Sequence, residues 1–361
     1  MGDDGAAVRG LVSAGFEGLV RAAAGDARKL AGLARTAKSA GHRDRAYPLA
    51  RAARALAPGD VEIAALTQRP LAGAVPKFHL PMLRDAPRNR MYADAIARVV
   101  RPGDRVLDIG SGSGLLAMIA ARAGAGHVYS CEMNPAVADV AATIVAANGL
   151  TDRVTVLPVN SAALDADRDL GGRVDVIISE IFSDDVIGEG VLPATEDAVA
   201  RLLRPGGRVL PCGAQIVAAL ASNARADTGW MTAIEGFDLS AFAALAPVPQ
   251  RYHADGPHLT LRSPPRDLFS FDLSSGGPWR AAQASVDFVA DGEPVDGVAL
   301  WLRFQLDDAA TYENRPGAGS ESHWMVCFHR FLAPLHPAAS AIVRVRAAHD
   351  LSHIHLWPAV A

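Results

Sequence analysis

Cysteine, lysine and aromatic residues are all scarce in this 361-residue chain. The three cysteines, Cys131, Cys212 and Cys327, stand far apart and without Cys-x-x-Cys spacing, which argues against a disulfide framework or a zinc site. Lysine occurs only at Lys29, Lys38 and Lys77, and 35 basic against 39 acidic residues leave a net charge of −4. No basic stripe marks a nucleic-acid binder, so no nucleic-acid partner is expected. No apolar run is long enough to span a bilayer. The acidic start, Met1-Gly2-Asp3-Asp4-Gly5, lacks the basic-then-apolar pattern of a signal peptide, and Ala6 replaces the Ser or Thr that favours myristoylation. The expectation is a cytoplasmic protein with no membrane partner. Half of the residues are hydrophobic, and the length allows two or three domains with cores of their own.

What the chain does have is Val106-Leu107-Asp108-Ile109-Gly110-Ser111-Gly112-Ser113-Gly114-Leu115. An apolar run ends in an acid, three glycines follow at alternate positions, and a helical pattern from Leu115 to Ala123 begins at once. That is a strand, a tight turn and a helix N-terminus, where a ligand approaches bare backbone and faces helix amides. A dinucleotide site asks for Gly-x-Gly-x-x-Gly, but the position three after Gly112 is Leu115. The pattern Asp-x-Gly-x-Gly-x-Gly instead resembles the first motif of the S-adenosylmethionine methyltransferases. One strand further on, Val128-Tyr129-Ser130-Cys131-Glu132 ends in a carboxylate with lone pairs enough to accept both ribose hydroxyls.

The segment up to about residue 70 is Ala/Leu/Arg-rich with helical spacing. Tyr47 to Asp60 ends like a helix of a tetratricopeptide hairpin, but at most two such units are present, too few for a solenoid. A helical cap or dimerisation segment is the plainer reading. From about residue 75 to 211 strands and helices alternate: strands end at Ile109 and Glu132 and run over Val154–Leu157 and Val174–Glu180, with helices from Leu115, over Pro135–Asn148 and over Glu196–Leu203. A turn at Arg204-Pro205-Gly206-Gly207 then leads to a last strand. This is an α/β, doubly wound, Rossmann-like domain, whose ligands bind at the carboxyl ends of the strands. Residues 212–361 carry short apolar runs between Pro/Gly turns and predict an antiparallel β-barrel or sandwich. Trp230 to Leu245 reads as a helix interrupting it. His353 and His355 alternate on a strand with too few companions for a metal site, so no metal is expected.

The second informative stretch is Ser179-Glu180-Ile181-Phe182-Ser183-Asp184-Asp185-Val186-Ile187-Gly188-Glu189-Gly190. Glu180 closes a buried strand and Glu189 follows nine residues later between two glycines, a length that lets the loop aim both carboxylates into one pocket. Two buried carboxylates repel unless a cation bridges them, and a planar, always-charged guanidinium fits that place.

Four ordered motifs resemble the protein arginine methyltransferase family from about Lys77 to the C-terminus. They are the glycine loop, the two-glutamate loop, Ser322-His323-Trp324 (similar to the family's Thr-His-Trp loop), and Gly236-Phe237-Asp238 near its dimerisation arm. The resemblance implies S-adenosylmethionine as cofactor, arginine as substrate and a homodimer with a helical arm near residues 228–246. It implies Glu180, Glu189, His323, Asp85 and Met82 at the catalytic site. His79, Arg88, Asp108, Gly110, Gly112, Glu132, Asn160 and Ser161 would hold the cofactor, with Arg88 on its carboxylate, Glu132 on its ribose and Asn160 and Ser161 beside its adenine. Asp85 would pair with His323, and Met82 would crowd the methyl-transfer site. The wording Ile-Gly-Glu-Gly-x-Leu-Pro looks most like the monomethylating branch.

The chain also departs from the family. Arg69 and Gly73 stand where its lid helix has paired tyrosines, and Val191 replaces a methionine. Similar bacterial enzymes methylate free L-arginine in natural-product pathways. Low lysine with abundant alanine and arginine suggests a GC-rich bacterium, which tilts the reading toward the free amino acid. Asp184 and Asp185 stand beside the site and suit its α-amino group. Two rival readings stay open: a methyltransferase of another amine or a ribosomal protein, and an inactive helical binding scaffold.

Overall fold

The computed structural model describes residues 15–72, 78–224, 233–239, 241, 249–317 and 319–359, and the chain divides into two units after His79. In the first unit three helices, Ala27–Ser39, Arg43–Leu56 and Val61–Ala72, pack through Leu30, Ala31, Ala34, Leu49, Ala50, Ala53 and Ile63. Alanines on the facing sides bring the helix backbones close, and Gly41 and Gly59 take positive φ at the two turns between them. Gly73 lies outside the described residues.

The helix His79–Arg84 straddles the division, and Ala86–Val99 is the first helix wholly within the second unit. A parallel five-stranded sheet follows, made of β1 (Arg105–Ile109), β2 (His127–Cys131), β3 (Val154–Leu157), β4 (Val174–Ser179) and β5 (Leu203–Leu210). Its order is β3-β2-β1-β4-β5, so the winding reverses between β1 and β4. The crevice at their carboxyl ends is where such sheets bind ligands. In register there, Ile109 stands opposite Ser179 on one side and Cys131 on the other. The continuous apolar run Val176-Ile177-Ile178 forms β4 because both faces of a parallel sheet are covered.

Two elements differ from expectation here. The helix expected from Glu196 begins at Val191 and ends at Arg201, because Gly190 adopts φ +76 at its N-cap and Pro193 falls in the first turn, where no amide is needed. The turn at Arg204–Gly207 lies inside β5, as an irregularity between Leu203, opposite Val174, and Arg208, opposite Val176.

The antiparallel part holds β6 (Gly213–Asn223), the hairpin strands β7 (Ala233–Ile234) and β8 (Phe237–Asp238), β9 (Gln250–His253), β10 (Leu259–Leu261) and β11 (Arg266–Asp272). Then come β12 (Ala282–Val289), β13 (Val295–Gln305), β14 (Thr311–Glu313), β15 (Met325–Leu335), β16 (Ile342–His349) and β17 (Ile354–Pro358). The central sheet runs β10-β6-β13-β15-β9, with β11 on β6 and β14 on β13, and β12-β16-β17 form a second sheet. Leu107, Ile177 and Leu192 of the parallel half share one core with Leu220, Phe304 and Trp324 of the antiparallel half. The two halves are joined by packing as well as by chain.

The helix expected over Trp230–Leu245 is corrected where it is described. Residues 233–239 form a tight hairpin, with Glu235 (φ 51) and Gly236 (φ 81) at its corner. Two positive φ values in succession make the turn that matches strand twist. Residues 225–232, 240 and 242–248, which include both ends of that stretch, lie outside the described residues. No helix among the described residues is long and apolar enough to cross a membrane.

Candidate active site

Asp108 and Glu132 end up beside the glycine loop because β1 and β2 are parallel and in step. Asp108 is buried opposite Ser130, whose hydroxyl donates to Asp108 Oδ2 at 2.7 Å. Burial pushes its carboxyl up to about 7, against that hydrogen bond and the nearby Arg88 charge. Glu132 accepts the Gly112 amide at 3.1 Å and the Asn134 amide at 2.8 Å, one on each oxygen. Lone pairs remain on both oxygens for further donors. Gly110 has φ +84, and a Cβ there would lie 2.4 Å from Ile181 Cγ2, so backbone conformation and the floor of the two-glutamate loop both demand glycine. Asn160 is exposed and caps a short 3₁₀ turn through Ala162 N, its amide 4.0 Å from Met133 Sδ, while Ser161 is buried.

Three buried polar atoms around this loop have no hydrogen-bond partner among the described residues: Arg88 Nε, Asp108 Oδ1 and Ser111 Oγ. Leaving such groups unmatched is costly. A donor on a cation, an acceptor on a carboxylate and a hydroxyl suit an amino-acid zwitterion, which is the methionine end of S-adenosylmethionine.

Arg88 reaches across to the second cluster. Its Nη2 lies 2.7 Å from Glu180 Oε2, with both side chains almost fully buried. Tyr92, one helical turn later, lies under the guanidinium at 5.0 Å and donates its hydroxyl to Ser179 O at 3.2 Å. Asp85 caps the same helix, accepting Arg88 N at 2.9 Å. It also accepts from the His323 amide at 3.0 Å and lies 2.9 Å from His323 Nδ1. Burial alone would raise Asp85, but these hydrogen bonds hold its carboxyl below the usual range. The imidazole's other nitrogen, Nε2, stands 3.8 Å from Glu180 Oε1. The network Asp85–His323–Glu180–Arg88 therefore joins the N-terminal end of the helix Ala86–Val99, the loop before β15 and the end of β4.

Burial pushes Glu180 up to about 7, more than Arg88 pulls it down, and the charges of Glu189 and Asp85 add to the rise. Glu189 is solvent-exposed as a residue, yet its carboxyl is also raised, by desolvation and by Asp184 and Asp185. No group among the described residues bonds it. Met82 is buried on the helix preceding Asp85. His79, the last residue of the first unit, stacks on Phe78 at 4.6 Å.

The loop between the glutamates is fixed from below. Trp324 Nε1 donates to Phe182 O at 2.9 Å, and the Phe182 ring packs tilted against Phe304 with centroids 4.3 Å apart. Ser183 accepts the Val186 amide at 2.9 Å, and Val186 has φ +74 although it is β-branched and fully buried. That conformation costs about 1–3 kcal/mol, offset by burying a valine, worth about 1.5–3 kcal/mol. Asp184 and Asp185, expected to suit an amino group, both have partners within the protein. Asp184 accepts Met325 N at 2.8 Å and Arg251 Nε at 2.9 Å, and Asp185 Oδ1 accepts from Ser183 Oγ and Gly188 N. Tyr92, Ser130, Ile181 and Arg251 are the neighbours that the motifs did not reveal. Only Tyr92, four residues after Arg88, and Ser130, the polar residue in an apolar strand, left a sequence signal.

The model of the ribosomal protein L11 methyltransferase (PrmA) family matches residues 87–218, the parallel half and its approach. An arginine N(omega)-methyltransferase from Streptomyces achromogenes subsp. streptozoticus is 42% identical over 257 residues, covering 70% of each chain. A protein arginine N-methyltransferase 7 from Oryza sativa subsp. indica is 29% identical over 319 residues, or 76% of this chain and 44% of that longer one. In three dimensions the chain is similar to Trypanosoma brucei PRMT1 in its enzyme–prozyme complex with AdoHcy (TM-score 0.67, 22% identity, 75% of this chain and 87% of that one). Arabidopsis thaliana protein arginine methyltransferase 10 is similar to the same degree (TM-score 0.64, 21% identity, 77% and 89%).

Proposed function

The chain belongs to the arginine N-methyltransferase family, a family of S-adenosylmethionine-dependent enzymes, and on that premise we propose that it adds one methyl group to an ω-nitrogen of free L-arginine. The observation that carries this reading is the contrast between the glutamates. Glu180 is buried and partnered, whereas Glu189 has no partner among the described residues while its charge still bears on Glu180. Two such carboxylates are one cation short of balance.

In this reading Asp108, Gly110, Gly112, Glu132, Asn160 and Ser161 hold the cofactor, and Arg88 binds its carboxylate with the Nε that lacks a partner. Bound there, S-adenosylmethionine supplies a methyl group activated by a sulfonium. Arginine's guanidinium is never appreciably neutral near pH 7, and delocalisation makes its nitrogens poor nucleophiles. Glu180 and Glu189 grip two of those nitrogens, draw positive charge toward themselves and leave density on the third. Orientation of this kind contributes up to ~7–11 kcal/mol, and fixed charge a few kcal/mol more. Glu180 or the His323–Asp85 pair takes the proton that the methylated nitrogen releases. The proposal includes a homodimer, supported by the exposed Ile234, Phe237 and Leu239 on the hairpin.

The test is mass spectrometry of free L-arginine and Arg-rich peptides incubated with the enzyme and S-adenosylmethionine, alongside Glu189→Gln. A single methyl on the free amino acid, with turnover lost at least ~100-fold but cofactor binding kept in the variant, is the expected result. Near-normal turnover in Glu189→Gln refutes the assigned grip.

A further inference from the structure

One ion pair beside the two-glutamate loop has no part in gripping a guanidinium. Asp184 stands between Glu180 and Glu189 in the loop, and its Oδ2 lies 2.9 Å from Arg251 Nε on β9. Its Oδ1 accepts the amide of Met325 at 2.8 Å, two residues after His323. The pair is therefore fastened to the start of β15, close in the chain to the imidazole that faces Glu180. Unlike Arg88–Glu180, it is open to solvent: Arg251 keeps 48% of its side chain exposed and Asp184 22%. A guanidinium has five N–H donors, and only the Nε–H is committed to Asp184. Arg251 also hydrogen-bonds the side chain of Cys327, its register partner across β9 and β15, and its charge bears on His329.

On the reading that a substrate guanidinium enters between Glu180 and Glu189, we infer that Arg251 and Asp184 bind the α-carboxylate and α-ammonium of a free amino-acid substrate and so set its specificity. Adjacent opposite charges on a rigid frame are the mirror image of a zwitterion, and a carboxylate–guanidinium contact is forked and directional. Asp184 retains lone pairs for an ammonium after both its present bonds. An exposed ion pair contributes little on its own, so sharing it with a ligand costs little. An arginine within a peptide carries amides in place of both charges and gains neither contact. Asp185 is the poorer candidate, since Ser183 Oγ and Gly188 N already converge on its Oδ1 and no cation among the described residues pairs with it.

The experiment compares steady-state kinetics on L-arginine, on agmatine, which lacks the α-carboxylate, and on Nα-acetyl-L-arginine amide, which lacks both charges. Wild type is expected to prefer L-arginine by tenfold or more. Arg251→Gln is expected to raise KM for L-arginine about tenfold or more and to erase that preference, with Arg251→Lys restoring part of it. Cofactor affinity and Tm are read in parallel and are expected to stay within error of wild type. Equal handling of the three compounds by wild type, methylation of peptides alone, or an equal loss on all three in Arg251→Gln overturns the assignment and leaves the pair a loop tether. Failure of wild type to methylate any guanidino compound overturns the reading of the glutamates as well.

Discussion

Arg88 places its Nη2 2.7 Å from Glu180 Oε2, with side chains 3% and 6% exposed, so the protein's own guanidinium already sits on a carboxylate assigned to grip the substrate's. In the proposed reading Arg88 links the cofactor loop to the substrate grip, with one nitrogen on Glu180 and an Nε that has no partner among the described residues. Arg88→Ala strands a buried acid and is expected to cost about 3–5 kcal/mol, or roughly 6–20 °C in Tm. The double variant Arg88→Ala/Glu180→Gln should regain most of that loss without regaining cofactor affinity. Thermal melts and calorimetric titration with S-adenosylmethionine check both; an unchanged Tm in the single variant contradicts the pairing.

Acidity at Glu180 makes a kinetic prediction. Its carboxyl titrates near 7, held up chiefly by burial, so below that pH much of the free enzyme carries a neutral group that cannot grip a cation. The kcat/KM for arginine should rise about tenfold per pH unit up to about 7 and then level, while the kcat profile breaks at lower pH because a bound guanidinium favours the ionised form. A flat kcat/KM between pH 5.5 and 8 contradicts the role of Glu180.

Asp108 predicts a pH effect on stability. Its carboxyl is raised to about 7 in the folded protein, against an ordinary value of 3.8. The folded state then holds a proton that the unfolded chain gives up, so this contribution is complete below about pH 4 and is lost as pH rises through about 7, over a range of a few kcal/mol. Asp108→Asn should remove that slope and melt higher than wild type at pH 8, both without cofactor. Parallel Tm-against-pH curves for the two proteins contradict the shift.

Gly110→Ala combines two penalties. A side chain at φ +84 costs about 1–3 kcal/mol, and the new Cβ would stand 2.4 Å from Ile181 Cγ2, adding about 1–3 kcal/mol of overpacking. Adding Ile181→Ala should relieve only the second. Denaturant unfolding of the single and double variants separates them, and equal stability of wild type and Gly110→Ala contradicts both.

Local patterns made part of this molecule legible. Val154–Leu157 and Leu115–Ala123 have the bounds that their periodicity implies, because a buried strand and a helix after a glycine turn each leave a signal within a few residues. Asp108 and Glu132 were readable because each ends a strand. Arg88 on Glu180 was not, since contact between residues so far apart in the chain depends on the sheet order and leaves no periodic trace. Glu235-Gly236 turned an apparently helical stretch into a hairpin through two backbone angles that composition does not report. The partners of Asp184 and Asp185 were not readable either, since Met325 and Arg251 reach Asp184 from distant strands.

Val186 carries a consequence for anyone who would move this grip elsewhere. A buried β-branched residue at φ +74 does not choose that shape by itself. The residues from Glu180 to Glu189, cut out as a peptide or transplanted onto another scaffold, would relax out of the shape they hold here. The loop is portable only with its hydrophobic foundation, including Phe182, Phe304 and the indole of Trp324.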